Sequence, residues 1–216
     1  MKTWSGYKLL SLALLSFLAP IASANVSVSL GEQDFADGAT PTTGAFQTAG
    51  AGEPAPFDGL FLSSDATGPN FSASWTFSYA AQPSVLGASL TLGIYDHESS
   101  AAGNQVASFT LNGIDLTGSL NQVLESHGGA SRQDNVYLLT LPSSTFATLG
   151  TGSATFSLLL QGPGLGVLGQ TTFNGAALDF STLSVTTVPE PSTVILMSLG
   201  LAGLGIARRV SARSPR

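Results

Sequence analysis

Tyr95 to Gln105 reads YDHESSAAGNQ, a stretch crowded with oxygen-bearing side chains. Asp96 and Glu98 stand two apart, so on an extended backbone both carboxylates point to the same side. Ser99, Ser100 and Asn104 add hydroxyl and amide oxygens from the loop that follows. Hard oxygen donors gathered at a strand end suit calcium, which takes about six to eight oxygens and accepts irregular loops. Asp96, Glu98 and Asn104 are therefore the candidate calcium ligands, although their spacing is not that of an EF-hand. A solvated loop at a strand end is the plain alternative. The same two carboxylates could instead serve a glycosidase, whose pair stands roughly 5–5.5 Å apart in retaining enzymes and roughly 6.5–9.5 Å in inverting ones. An i, i+2 pair fits either range. Asp34 and Asp37, with Gly38 in a turn, form a second, sparser donor group.

Other chemistries find less to work with. His97 alternates with its acidic neighbours and so points to the opposite face, while His127 precedes Gly128-Gly129 in a loop. Two histidines make no convincing triad or metal set, and neither H-E-x-x-H nor G-x-S-x-G occurs. Gly164 to Gly169 fits G-x-G-x-x-G. The segment after it, QTTFNGAALDF, is not the helix whose N-terminus must hold a pyrophosphate, so this is a glycine-rich loop. With no cysteine there is no thiolate zinc site, iron–sulfur cluster, cysteine nucleophile or disulfide.

The elements that must position these residues are strands. In FSASWTFSY, Phe71, Ala73, Trp75, Phe77 and Tyr79 alternate with Ser and Thr, a strict period of two with one face buried and one wet. ASLTLGIYD repeats the rule with Leu90, Leu92 and Ile94. VASFTLNGIDL carries Asn112-Gly113, a tight-turn signal. NVYLLTL and ATFSLLLQG follow, the second so continuously apolar that it belongs in the middle of a sheet, and ALDFSTLSVTTV closes the series. Gly31 to Asn70 shows no sustained period and reads as long loops with a short strand around Phe57 to Leu62. One stretch is helical: Leu116 to Ser126 spaces Leu116, Leu120, Val123 and Leu124 on one face, with Thr117 or Ser119 to cap it and Gly128-Gly129 to stop it. Many short strands with Gly- and Pro-rich connections predict an all-β antiparallel sandwich with jelly-roll or Greek-key connections.

Charge is distributed unevenly. Of the 13 Asp and Glu residues all but Glu190 fall within residues 25–187, where Arg132 is the single Lys or Arg, so that segment carries a net charge of about −11. Such a surface repels phosphate backbones, which excludes nucleic acid as a partner. Divalent cations are its natural counterions.

The two ends are different in kind. Lys2 and Lys8, the apolar run Leu9 to Ala19, Pro20 and the small-residue site Ala22-Ser23-Ala24 make a secretory signal peptide over residues 1–24, with signal peptidase expected to cut after Ala24. Residues 25–187 then form one acidic domain of ordinary size. Residues 188–216 hold Pro189-Glu190-Pro191, a charge-free run from Val194 to Ala207, and Arg208-Arg209. A helix over 194–207 would rise about 21 Å, short of a hydrocarbon core of about 30 Å, and the arginines orient it with the domain outside. It reads as a transient membrane stop.

Pro-Glu-Pro, then an apolar helix, then terminal arginines resembles the PEP-CTERM sorting signal of exported bacterial proteins. The resemblance covers about the last 25 to 30 residues. It implies recognition of Pro189, Glu190 and Pro191, with Arg208 and Arg209 behind them, by an exosortase-like enzyme in the inner membrane. It also implies a setting of extracellular polysaccharide. The extension VSARSPR beyond the paired arginines is longer than the pattern requires. The leading expectation is a non-enzymatic cell-surface or matrix protein of a biofilm, facing polysaccharide or calcium. The alternative is an extracellular carbohydrate-active enzyme using Asp96 and Glu98.

Overall fold

Seven strands form where the sequence pattern places them, and two further elements, a strand at the start of the domain and a short helix after it, arise outside those stretches. The computed structural model describes residues 24–62, 68–82, 84–97, 103–130, 132–163 and 173–188, with Gly200 and Gly203. Along the chain run β1 (Ala24–Leu30), α1 (Thr43–Ala49), β2 (Ser72–Ser78), β3 (Val85–Tyr95), β4 (Val106–Leu111), β5 (Ile114–Asp115), α2 (Thr117–His127), β6 (Asp134–Thr140), a 3-10 turn (Ser143–Thr145), α3 (Phe146–Leu149), β7 (Ser153–Leu160) and β8 (Ala177–Thr187).

The strands make two antiparallel four-stranded sheets, ordered β1-β8-β3-β6 and β2-β7-β4-β5. The hydrogen-bonded pairs β1·β8, β2·β7, β3·β6 and β4·β5 are nested one inside the next, with β8·β3 and β7·β4 joining them. This is a long antiparallel hairpin rolled onto itself, the jelly-roll solution to joining two sheets. β7 is internal, as its apolar run requires.

Alternation explains the layers. Trp75 and Phe77 of β2, Leu90, Leu92 and Ile94 of β3, Phe109 and Leu111 of β4, Phe156 and Leu158 of β7, and Leu183 and Val185 of β8 all meet in one core. Fully burying such a side chain stabilises the fold by about 1.5–3 kcal/mol each. The other faces carry hydroxyls that bond across strands: Ser29 to Thr182 at 2.7 Å, Ser74 to Ser157 at 3.0 Å and Thr76 to Thr155 at 2.9 Å.

The sandwich is closed at one side by α2, which packs on both β4 and β6 and buries Leu120 and Leu124 below Leu116. Its capping differs from expectation. Neither Thr117 nor Ser119 caps it: the N-cap is Leu116 without a side-chain bond. Thr117 instead accepts from the Phe109 N–H, and the Asp115 carboxylate accepts from the Thr117 N–H. Gly128, at φ 69°, ends the helix.

The connection from Leu30 to Phe71 is more ordered than its composition suggests. Thr42 caps α1 by accepting from Ala45 N–H, and Phe46 anchors the helix on Tyr95 with ring centroids 4.4 Å apart. The strand expected around Phe57 to Leu62 is reduced to one bridge, Leu62 to Ala176. A second bridge, Ala39 to Asp134, lies along β6, and Asp37 accepts from Val136 N–H. Together they cover an otherwise open sheet edge.

Candidate functional site

The loop ends after β3, the C-terminus of α2 and the connection above β6 come together at one end of the sandwich. Asp96 directly follows the last residue of β3, but at φ 52° its backbone is not extended. The alternation that would align Asp96 with Glu98 is therefore broken at Asp96. Its N–H donates to Gln133 O, and its Oδ1 accepts from Arg132 N–H at 2.7 Å. Glu98 lies outside the described residues. Asn104 stands before β4, where its carbonyl accepts from Gln161 Nε2. Among the described residues no three acidic or histidine side chains converge as a metal site.

His97 is turned inward and is 2% exposed. Nδ1 bonds Gln105 Oε1 at 2.8 Å, and Nε2 bonds the Tyr137 hydroxyl at 2.5 Å. A carbonyl oxygen can only accept, so Nδ1 carries the proton and Nε2 accepts from the tyrosine. Burial pushes the imidazole down to about 4, partly opposed by the Gln105 hydrogen bond, so His97 is neutral. The Tyr137 ring meets His127 edge-on, and His127 pairs with Asp37 at 3.1 Å. This chain ties β3, β4, β6, α2 and the covering connection together.

The most perturbed acids are two that sequence reasoning did not single out. Asp134, at the start of β6, is fully buried, and neither of its carboxylate oxygens has a partner among the described residues. Burial first, then the charges of Asp179, Asp37 and Asp34, raise its carboxyl to about 8. Asp179 is raised to about 6, chiefly by burial, with the backbone N–H groups of Asp34 and Phe35 acting in the other direction. The weaker donor pair, Asp34 and Asp37, borders these acids. Asp34 donates its N–H to Asp179 Oδ1 at 3.4 Å, and Asp37 is held by Val136 and His127. The available signal was a carboxylate inside an apolar run, LDF at 178–180 and DNVYLL at 134–139.

Beside α2 lies an open cleft of about 530 Å³ lined by Asn104, Val106, Ala107, Thr117, Gly118, Asn121, Gln122, Glu125 and Gln161. Its polar walls are mostly engaged already. Asn121 accepts from Gln105 and Val106 N–H and donates to Val106 O. Glu125 accepts from Gly103 N–H. The side-chain amides of Asn104 and Gln122 are the cleft amides with no hydrogen-bond partner among the described residues.

Fold and site define an all-β jelly-roll body whose last strand runs directly into the C-terminal tail. Residues 187–209 match the PEP-CTERM protein-sorting motif, which marks an exported, membrane-associated protein sorted through an exosortase. A search of curated proteins found no match to the chain. Pro189, Glu190, Pro191, Arg208 and Arg209 lie within the matched segment and outside the described residues, as does the apolar run 194–207 apart from Gly200 and Gly203. Ala22, at the other end of the chain, also lies outside the described residues. Ala24 is described and already pairs with Thr187 in β1, one residue ahead of the expected domain start. Among the described residues no helix is long and apolar enough to cross a membrane.

Proposed function

We propose that the protein is a non-enzymatic surface component, delivered by its sorting tail, whose jelly-roll body contacts extracellular polysaccharide. The observation that carries this reading is the cleft beside α2, walled by amides, a hydroxyl and one carboxylate rather than by a convergent acid pair. Neutral amides and hydroxyls are the groups that exchange hydrogen bonds with sugars at little desolvation cost. Among the described residues no aromatic ring lines the cleft, and without a stacking platform the affinity is expected to be weak, with a Kd on the order of millimolar. Calcium, held by Asp96, Glu98 and Asn104 at the neighbouring loop, belongs to the same reading as a cation that bridges an acidic domain to anionic glycan.

One calorimetric experiment tests both parts. The processed chain is titrated with CaCl2 and separately with polysaccharide isolated from the producing cells. The reading expects Gln122→Ala to weaken polysaccharide binding and Asp96→Asn to weaken calcium binding. Heats that are absent in the wild type, or unchanged in both variants, reject it. Release of reducing sugar from that polysaccharide, abolished by Asp96→Asn, would favour the carbohydrate-active enzyme instead.

A further inference from the structure

The strand directions divide the molecule into two ends of opposite character. β8 runs from Ala177 to Thr187, about 33 Å at the usual rise per residue. Its antiparallel partners place Ala24 and Val85 beside Thr187, and Tyr95 beside Ala177. The connections at the Thr187 end are therefore residues 79–84, 112–113 and 141–152. They are bound to one another by Tyr79 N–H to Gly152 O, Gln82 N–H to Gly150 O and the Asn112 amide to Ser153 O. Val188 donates to Ser84 O, so the tail leaves from this same end.

No Asp, Glu, Lys or Arg occurs in these three connections. Among the described residues the carboxylate next to these connections along the chain is Asp115, which is occupied at the first turn of α2, while Glu190 of the sorting motif lies outside the described residues. Asp34, Asp37, Asp96, Glu125, Asp134 and Asp179 all belong to the opposite end, with the one base, Arg132. Asp179 is eight strand residues from Thr187, about 26 Å, against a Debye length of about 8 Å at physiological salt. In place of charge, the tail end presents Leu86, 56% exposed, with exposed Ala80, Ala81, Pro142 and Ala147.

Only five residues, Pro189 to Thr193, separate Val188 from the apolar run, and they span at most about 17 Å. Once that run enters the bilayer, the tail end of the sandwich is held against the lipid headgroups. A domain with a net charge of about −11 would be repelled by an anionic surface if its acids were spread evenly. We propose that the charge-free end is a membrane-facing surface: while the tail is in place the sandwich stands upright on the phospholipid bilayer through residues 79–82, 84–86 and 141–147, with its acidic end turned away. This rests on the sorting-tail reading.

The absence of cysteine makes the test direct. Single-cysteine variants Leu86→Cys, Ser143→Cys and Ser126→Cys of the processed chain, with its tail intact, are labelled with a fluorophore. They are reconstituted into phosphatidylcholine–phosphatidylglycerol vesicles containing spin-labelled lipid. Quenching several-fold stronger at 86 and 143 than at 126 is expected, and Ala80→Glu with Ser143→Glu should reduce it at 86. Equal quenching at both ends in a chain that floats with the vesicles overturns the orientation alone. Failure to float overturns the orientation and the sorting-tail reading together.

Discussion

His97 shows how much one side chain can hold when both of its nitrogens are used. Its removal takes the Nδ1 donor from the Gln105 carbonyl oxygen and the Nε2 acceptor from the Tyr137 hydroxyl, and a buried polar group that loses its partner costs about 1–3 kcal/mol. His97→Leu is therefore expected to destabilise the domain by about 3 kcal/mol in urea unfolding, while Tyr137→Phe, which leaves only Nε2 unpaired, costs less. A loss below 1 kcal/mol for His97→Leu would mean that the buried pair contributes little. Alternation set His97 on the face opposite its acidic neighbours, but it could not give the inward direction, because the backbone at Asp96, φ 52°, interrupts the alternation. Its partners were not legible either, because Gln105 lies across a loop and Tyr137 on a separate strand, and no local pattern relates them.

At the level of elements, the β3·β8 pairing depends on a bulge. Leu92 faces Ser181 and Ile94 faces Leu178, so Asp179 and Phe180 together oppose Gly93. The extra residue lets both Leu178 and Leu183 reach the core, although they are five apart and would otherwise fall on opposite faces. It also brings the Phe180 ring to 2.7 Å from where a Cβ on Gly93 would sit, and Asp179 Cβ to 3.0 Å. Gly93→Ala is expected to cost about 1–3 kcal/mol, read as a lowered urea midpoint, with Phe180→Ala restoring part of it in the double variant. The long strands, the Asn112-Gly113 turn and α2 could be read from periodicity and turn chemistry. β1 and α1 escaped: α1 buries a single residue, Phe46, and a helix with one anchor has no period. The bulge escaped for a related reason, since an apolar run with an acid inside it does not reveal which residue is the extra one.

The whole molecule inherits a pH dependence from its few perturbed groups, and their signs differ. Asp134, raised to about 8, stabilises the fold fully below its ordinary value of 3.8, and that contribution is lost as pH rises through 8. Asp179, raised to about 6, acts the same way over a lower window. His97, lowered from 6.5 to about 4, acts oppositely: its contribution is complete above 6.5 and is lost as pH falls toward 4. Two carboxyls against one imidazole make the sum fall with rising pH. Urea unfolding should show greater stability near pH 5 than near pH 8.5, by on the order of a few kcal/mol, and Asp134→Asn should flatten most of the difference. A wild-type curve that rises with pH would place these carboxylates in contact with a cation or with water.

The nested pairing also governs when the fold can be completed. β1 leaves the ribosome first and waits for β8, 163 residues later, to provide its partner. The inner pairs, β4·β5 and then β3·β6, can close while the chain is still being exported, but the outermost pair cannot. A topology with its longest contact between its two ends has a high contact order, so folding on the millisecond-to-second scale is expected rather than faster. The sandwich is complete only when the strand that leads into the sorting tail has itself crossed the membrane, so the body is finished at the same moment as its address becomes available.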